Sequence, residues 1–223
     1  ALAGTRRMLS NAGRIARTQE RNRRPTEDEL GRLITHWDNN PRLTIPMADL
    51  LRFALCSAMR LSEITSLRWD GLNSEARTIL IRDRKHPRQK KGNDQRVPLL
   101  RGPVRLEGAI VDPMDIVNAQ RARVQPSEQR IFPYAPASVS TAFTRACARL
   151  EIDDLHFHDL RHDGVSRLFE TGLSIEQVSL VSGHRDWAQL RRYTNLRGED
   201  LHGVLESLIG AEGGKIVPLR RGA

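Results

Sequence analysis

The sequence predicts a mainly α-helical fold with a small antiparallel β-sheet, which is an α+β class. Apolar residues recur at helical spacing in most segments, whereas two short segments, "RTILIRDR" and "QRVPLL", alternate as strands do. These two segments flank a stretch that contains Pro and Gly, so they are expected to pair as a β-hairpin. A chain of 223 residues with 39% hydrophobic composition is long enough to bury its own core.

The first two predicted helices have clear boundary signals and apolar faces. In "PTEDEL", Thr26 is the expected N-cap, and Glu29, three residues later, completes a capping box. The second helix, "MADLLRFALCSAM", has a nearly continuous apolar face and is expected to be buried. The folded domain is therefore predicted to begin at Pro25.

The predicted hairpin is strongly basic. Such a density of cations is typical of a surface that binds the phosphate backbone of DNA, although a solvated hairpin without a special role is the plain alternative. The residues expected to contact DNA here are Arg82, Arg84, Arg88, Lys90, Lys91 and Arg96.

Helical patterns return after a loop-like region around "GAIVDPMD". They are "SVSTAFTRACARL", "HDLRHDGVSRLFETG", "SIEQVSLVSG", "RDWAQLRRYTN" and "GEDLHGVLESLIG". Ser174 with Gln177 forms a second capping box, and Gly172 and Gly183 stand where helix C-caps belong.

Composition and charge restrict the class of partner. The chain has 36 Lys and Arg against 27 Asp and Glu, and its net charge of +9 favours a polyanionic partner, with nucleic acid first. Cys56 and Cys147 lie in apolar helical patterns, which indicates buried hydrophobic residues and gives no metal site.

Without a leader-like or membrane-spanning apolar segment, the protein is expected in the cytoplasm, without membrane association. The predicted organisation is a basic linker over 1–24, a domain over 25–210 and a flexible basic tail over 211–223.

The segment "HFHDLRHDGVSRL" contains the richest cluster of polar side chains. His158 and Arg161 are three residues apart and share one face at a helix start, with His156, Asp159 and His162 around them. A cationic first turn opposes the helix dipole, whereas the same turn suits a bound phosphate. A solvated polar helix with a surface ion pair is the alternative.

Two further positions extend this interpretation. Arg60 stands where the buried second helix ends, and Glu63 is three residues on and able to orient it. An arginine at a buried edge needs an anion, although a helix-capping role is common for such residues. Tyr193 follows two arginines, and cationic neighbours favour the phenolate, which is the nucleophilic form. The sequence has no P-loop, no DxD-type carboxylate pair and no HExxH pattern, so phosphoryl transfer without metal or cofactor is predicted.

Five motifs in this order resemble the tyrosine recombinases, the phage integrase family. They are Arg60 in "MRLSEITSLRW", a hairpin lysine before "VPL", then "HDLRH", "SGH" and Tyr193. The resemblance runs from Pro25 to about Ile209 and implies the catalytic-domain fold of that family. The catalytic residues that it implies are Arg60, Lys85, His158, Arg161, His184 and Tyr193.

The resemblance also implies a role for each residue. Tyr193 would form a 3′-phosphotyrosyl bond with DNA, and Lys85 would protonate the leaving 5′-oxygen. Lys90 and Lys91 remain alternatives to Lys85, because the hairpin is long. Glu63 and Asp159 would orient the catalytic groups. Arg60 and Arg161 would bind the non-bridging oxygens of the phosphate. His158 would be the general base or proton shuttle near Tyr193, and His184 would hydrogen-bond the phosphate.

The implied partners are double-stranded DNA and further copies of the chain. A homotetramer is expected on DNA in a prokaryotic cell, with the isolated domain monomeric. Residues 1–24 would be the last helix or linker of an amino-terminal DNA-clamping domain, and "GEDLHGVLESLIG" would dock either on its own domain or on a neighbour.

Three rival functions are weighed against this one. A type IB topoisomerase uses similar residues to relax supercoils, and a catalytically silent DNA-binding regulator could use the same scaffold. An RNA-binding module is disfavoured, because only 4% of the residues are aromatic and no stacking platform is visible.

Overall fold

The computed structural model describes residues 22–40, 42–84, 92–106, 108–184 and 186–193. The chain divides into two compact units, Ala1–Gly183 and His184–Ala223. The predicted fold class is confirmed, because the described residues are mainly helical with small antiparallel sheets.

All described α-helices belong to the first unit. They are α1 (Glu27–Asp38), α2 (Met47–Ser57), α3 (Leu61–Ile64), α4 (Pro113–Arg123), α5 (Pro136–Arg149), α6 (Phe157–Glu170) and α7 (Ile175–Ser182).

The strands form two small antiparallel sheets. Their bounds are β1 (Leu72–Asn73), β2 (Thr78–Ile81), β3 (Gln95–Pro98), β4 (Arg105–Leu106) and β5 (Ala109–Ile110). β2 lies between β1 and β3, and Ile79 faces Val97 across the β2–β3 pair, so the predicted hairpin is confirmed. Ile79, Ile81 and Val97 are buried, which gives this sheet one face on the core.

The helix boundaries follow the predicted capping signals. The Thr26 hydroxyl accepts a hydrogen bond from the Glu29 N–H at 3.1 Å, and Glu29 accepts one from the Thr26 N–H at 2.8 Å. α7 begins with the Ser174 capping box and ends at Gly183, whose φ of +71° is the left-handed conformation that glycine adopts freely.

Helix α4 was not predicted, because its start lies in the region interpreted as a loop. Asp112 is its N-cap and accepts a hydrogen bond from the Met114 N–H at 2.8 Å, while Pro113 occupies the first turn. These two residues were the available signal, and the weak apolar periodicity after them concealed the helix.

The segment before α1 is tied to α6 by ion pairs. Arg24 Nε lies 2.6 Å from Asp163 Oδ1, and Arg167 Nε lies 2.6 Å from Asp163 Oδ2. Asp163 is buried, so its charge is balanced by these two guanidinium groups. The described end of the predicted 1–24 linker therefore packs on the folded unit.

Helix α2 forms the centre of the core. Leu50, Leu51 and Phe53 are fully buried, and the Phe53 ring lies 4.9 Å from the Phe132 ring between centroids. The predicted burial of this helix is confirmed. Cys56 and Cys147 are also buried, and burial raises the pKa of the Cys56 thiol to about 12.

Helix α6 approaches the end of α2 very closely at Gly164. A Cβ atom at this position would overlap the Leu55 carbonyl oxygen and lie 3.4 Å from the Ala58 Cα. The absence of a side chain at residue 164 therefore allows the two backbones to meet. This contact sets the position of α6 along α2, next to the turn that follows α2.

Within the described ranges, none of the helices combines the length and apolar character that crossing a bilayer requires.

We expect Gly164→Ala to lower the free energy of unfolding by about 1–3 kcal/mol, because the new methyl group has no space against α2. Gly31→Ala is the matched control, since Gly31 is also helical and a Cβ there meets nothing within 4 Å. The control should be neutral or about 0.5–1 kcal/mol more stable. Urea unfolding of both variants measures the difference, and equal stabilities would contradict the close approach.

Candidate active site

The turn after α2 brings Arg60 and Glu63 together. Ala58 ends the helix with a φ of 49°, and Arg60 becomes the N-cap of α3. Arg60 Nη1 donates to Glu63 Oε1 at 2.6 Å, and the Arg60 N–H donates to Glu63 Oε2 at 3.0 Å. The contact between Arg60 and Glu63 that the sequence predicts is therefore present in the structure.

Arg161 reaches the same carboxylate from α6. Its Nη1 lies 3.8 Å from Glu63 Oε2 and donates to the Ala58 carbonyl at 2.6 Å. Its Nη2 donates to the Ser182 carbonyl at 2.9 Å. The Arg161 side chain is 4% exposed, whereas that of Arg60 is 27% exposed. Arg60 is thus the more accessible of the two arginines.

Arg84 lies in this cluster and differs from its expected position on a DNA-facing surface. It is 2% exposed, and its Nε and Nη2 lie 3.3 Å and 3.4 Å from the two Glu63 carboxylate oxygens. This burial could not be predicted from the sequence, because Arg84 stands in a run of cations in which a buried arginine looks the same as a solvated one.

The electrostatics of the cluster favour a bound anion. Among the residues that the structure describes, three guanidinium groups surround the Glu63 carboxylate, so this group of four side chains carries two positive charges in excess. Burial alone would raise the pKa of Glu63, but the charges of Arg84 and Arg161, with help from Arg60, lower it overall. Glu63 therefore stays ionised, and the excess charge suits a phosphate.

His158 and His162 lie in the first two turns of α6. The His158 and His162 rings meet edge to face at 4.8 Å between centroids, and His158 is exposed. Asp159 is fully buried and accepts a hydrogen bond from the His156 N–H at 2.8 Å. Asp159 thus caps the helix that carries His158 and Arg161.

The hairpin residues fall into two groups. Arg82 pairs with Asp70 at 3.2 Å, and Arg96 is exposed and donates to the Gly71 carbonyl at 3.2 Å. The other predicted residues lie outside the described ranges and are Lys85, Arg88, Lys90 and Lys91. The choice among the three lysines therefore stays open.

His184 and Tyr193 belong to the second unit. Both side chains are partly buried, and the Tyr193 N–H donates to the Leu190 carbonyl at 2.9 Å. The segment predicted as one helix forms two 3₁₀ turns, Trp187–Gln189 and Arg191–Tyr193. The predicted helix "GEDLHGVLESLIG" lies outside the described residues.

Within the described ranges, no group of three or more His, Cys, Asp or Glu residues is arranged to hold a metal ion.

We expect Glu63→Gln to lower the free energy of unfolding at pH 7 by about 3 kcal/mol, because three guanidinium groups lose a shared counterion. The pKa of Glu63 is lowered by folding, so its ionised form stabilises the protein above the unfolded-state value of about 4.3. That stability is lost as the pH falls through the lower, folded-state pKa.

Urea unfolding from pH 7 downwards tests this expectation. The loss of stability in acid should be smaller in Glu63→Gln than in the wild type, and Glu75→Gln, which changes an exposed carboxylate, should leave it unaltered. A Glu63→Gln variant with the acid response of the wild type would argue against the cluster.

Comparison with known proteins identifies relatives along most of the chain. The family described as "Phage integrase family" matches residues 23–199. The chain is 32% identical over 197 residues to a protein named "Shufflon-specific DNA recombinase" from Escherichia coli, which covers 84% of this chain and 44% of that protein. It is 25% identical to "Integrase" of Salmonella phage P22, over 68% of this chain and 39% of that protein. The chain thus spans less than half the length of these relatives.

Solved structures share the fold at low sequence identity. The structure of XerA recombinase superposes with a TM-score of 0.57 and 16% identity, over 86% of this chain and 66% of that one. A lambda integrase dimer bound to a COC' core site gives a TM-score of 0.62 and 17% identity, over 88% of this chain and 57% of that one. The family match over residues 23–199 and the 32% identity over 84% of the chain show that the chain belongs to the phage integrase family, the tyrosine recombinases.

Proposed function

We propose that the chain is the strand-cleaving part of a site-specific DNA recombinase. The observation that carries the proposal is the cluster around Glu63 in a member of the phage integrase family, because its described side chains carry an excess of positive charge beside Arg60. Such a cluster stabilises the negative charge that a phosphodiester gains during displacement at phosphorus.

In the proposed reaction, the Tyr193 oxygen attacks a DNA phosphodiester. A bond forms between this oxygen and phosphorus, and the bond between phosphorus and the 5′-oxygen breaks. The products are a 3′-phosphotyrosyl bond and a 5′-hydroxyl, to which Lys85, or else Lys90 or Lys91, gives a proton. The 5′-hydroxyl of another strand reverses the step, so the bond energy is kept and no nucleotide is consumed.

The arginines and histidines have complementary roles in this proposal. Arg60 and Arg161 bind the non-bridging oxygens, and the phosphate approaches from the side of the more exposed Arg60. His158 accepts the Tyr193 proton, and His184 donates a hydrogen bond to the phosphate. Glu63 holds both arginines, and Asp159 keeps α6 capped.

The proposed partners are double-stranded DNA and other copies of the chain. One structural neighbour is a lambda integrase tetramer bound to a Holliday junction, and a homotetramer on DNA is proposed here on that likeness. The isolated domain is proposed to be monomeric, and its site of action is DNA in the cytoplasm of a prokaryotic cell.

The catalytic tyrosine can be tested with a matched pair of variants. The chain has two tyrosines, and Tyr134 is structural, since its hydroxyl accepts a hydrogen bond from Gln120 Nε2 at 2.8 Å. Incubation with nicked duplexes of randomised sequence should give a protein–DNA adduct that resists detergent. Tyr193→Phe should lower its yield by about 10³-fold or more, because the nucleophile is lost, and Tyr134→Phe should keep it.

Sequencing of the captured duplexes would then identify the preferred site. Adducts of equal yield in both variants would overturn the role of Tyr193, and no adduct with any duplex would support a silent DNA-binding regulator. Relaxation of supercoiled plasmid by the dilute protein, without strand exchange, would support a topoisomerase.

A further inference from the structure

All three side-chain nitrogens of Arg84 donate to protein groups. Besides Glu63, it donates from Nη1 to Gln95 Oε1 at 3.0 Å and from Nη2 to the Ser182 carbonyl at 2.7 Å. A second carbonyl, that of Val181, lies 3.3 Å from Nη2. A buried guanidinium with these contacts is not available to DNA, yet its position is fixed from three directions.

Arg84 and Arg161 share two acceptors. Both approach the Glu63 carboxylate, and both donate to the Ser182 carbonyl, at 2.7 Å and 2.9 Å. A displacement of Arg84 therefore changes two of the groups that hold Arg161. The same displacement frees one side of the carboxylate that orients Arg60.

The surroundings of Arg84 indicate a tightly fitted position. A Cβ atom at Gly183 would overlap the Arg84 guanidinium, so the end of α7 passes directly against this group. The Arg84 N–H also donates to the Asn93 carbonyl at 2.9 Å, and Asn93 Nδ2 donates to the Arg84 carbonyl at 2.5 Å. Both the side chain and the backbone of Arg84 are thus held.

We propose that Arg84 is a positioning residue that fixes Glu63 and the Ser182 carbonyl, and through them the geometry of Arg60 and Arg161. The proposal rests on the DNA cleavage proposed above. Arg84 thus lies inside the site, acts through other residues and does not touch DNA.

The fixed geometry matters because phosphoryl transfer depends on placement. Misplacement of a catalytic group by about 1 Å costs about 100-fold in rate. Arg84→Lys keeps the positive charge, but a single ammonium group cannot span Glu63, Gln95 and Ser182 together. Arg84→Gln removes the charge as well.

The first experiment measures single-turnover cleavage of a nicked duplex recovered from the randomised pool. With saturating duplex, Arg84→Lys should cleave about 10- to 100-fold more slowly than the wild type. The affinity for the duplex should change by less than about 3-fold, because Arg84 makes no phosphate contact. A wild-type rate in Arg84→Lys would show that charge alone matters and would overturn the positioning role. A loss of affinity as large as the loss of rate would show that Arg84 contacts DNA.

The pH profile separates positioning from general destabilisation. Loss of the Arg84 charge raises the pKa of Glu63, so the acid limb of the cleavage profile should move to higher pH in Arg84→Gln. Arg77→Gln is the matched control, since Arg77 lies at the other end of β2 and pairs with Asp112 at 2.6 Å. It should keep both the rate and the acid limb. A similar change in both variants would indicate only a weakened fold.

A second perturbation moves Arg84 without changing any charge. Gly183→Ala places a methyl group on the guanidinium, whereas Gly172→Ala imposes a similar left-handed strain with nothing within 4 Å of the new Cβ. Gly183→Ala should cleave at least about 10-fold more slowly than Gly172→Ala. Equal rates would overturn the proposed dependence on Arg84.

The absence of any adduct with the wild type would contradict the cleavage proposal but not the positioning role of Arg84. If the wild type forms no adduct, the positioning role is judged from urea unfolding of Arg84→Gln, Glu63→Gln and the double variant. Coupling between the two residues requires that the double variant lose less stability than the sum of the single losses. Additive losses would overturn the proposal.

Discussion

The site depends on one buried carboxylate. Glu63 is held by Arg60 on its own turn, by Arg84 after β2 and by Arg161 on α6, so a single side chain joins three separate parts of the fold. Each guanidinium would be costly to bury alone, and the carboxylate makes their approach possible. Among the described side chains of this cluster, one negative charge faces three positive ones, so the cluster keeps a net positive charge that favours an anion.

The backbone makes this convergence possible. α6 reaches α2 closely at Gly164, and the left-handed turn at Ala58 directs the chain from α2 into Arg60. The Ala58 carbonyl that results from the turn accepts the hydrogen bond of Arg161 Nη1. Small residues and an unusual φ angle thus determine where the charged side chains meet, although they carry no chemistry themselves.

The sequence predicted what local rules control. The Thr26 and Ser174 capping boxes, the buried α2 and the basic hairpin were recognisable because capping and periodicity depend on residues a few positions apart. The pairing of Arg60 with Glu63 could be predicted from the sequence for the same reason. The burial of Arg84 was not, because its partners Glu63 and Ser182 are distant in the sequence and nothing in a run of cations identifies the one that faces inward. The positions of His184 and Tyr193 were named from motifs, and their catalytic roles remain predictions.

The sequence separations within the cluster have a consequence for the order of folding. Arg84 and Ser182 are 98 positions apart, and Arg161 and Ala58 are 103 positions apart, so their contacts close long loops. Contacts of this kind lose the most chain entropy and form late, after local helices and hairpins. A chain that is still emerging from the ribosome has the basic hairpin but lacks the partners that complete the cluster. The Glu63 cluster is therefore complete only when α7 has been synthesised and its Ser182 carbonyl has docked on Arg84 and Arg161.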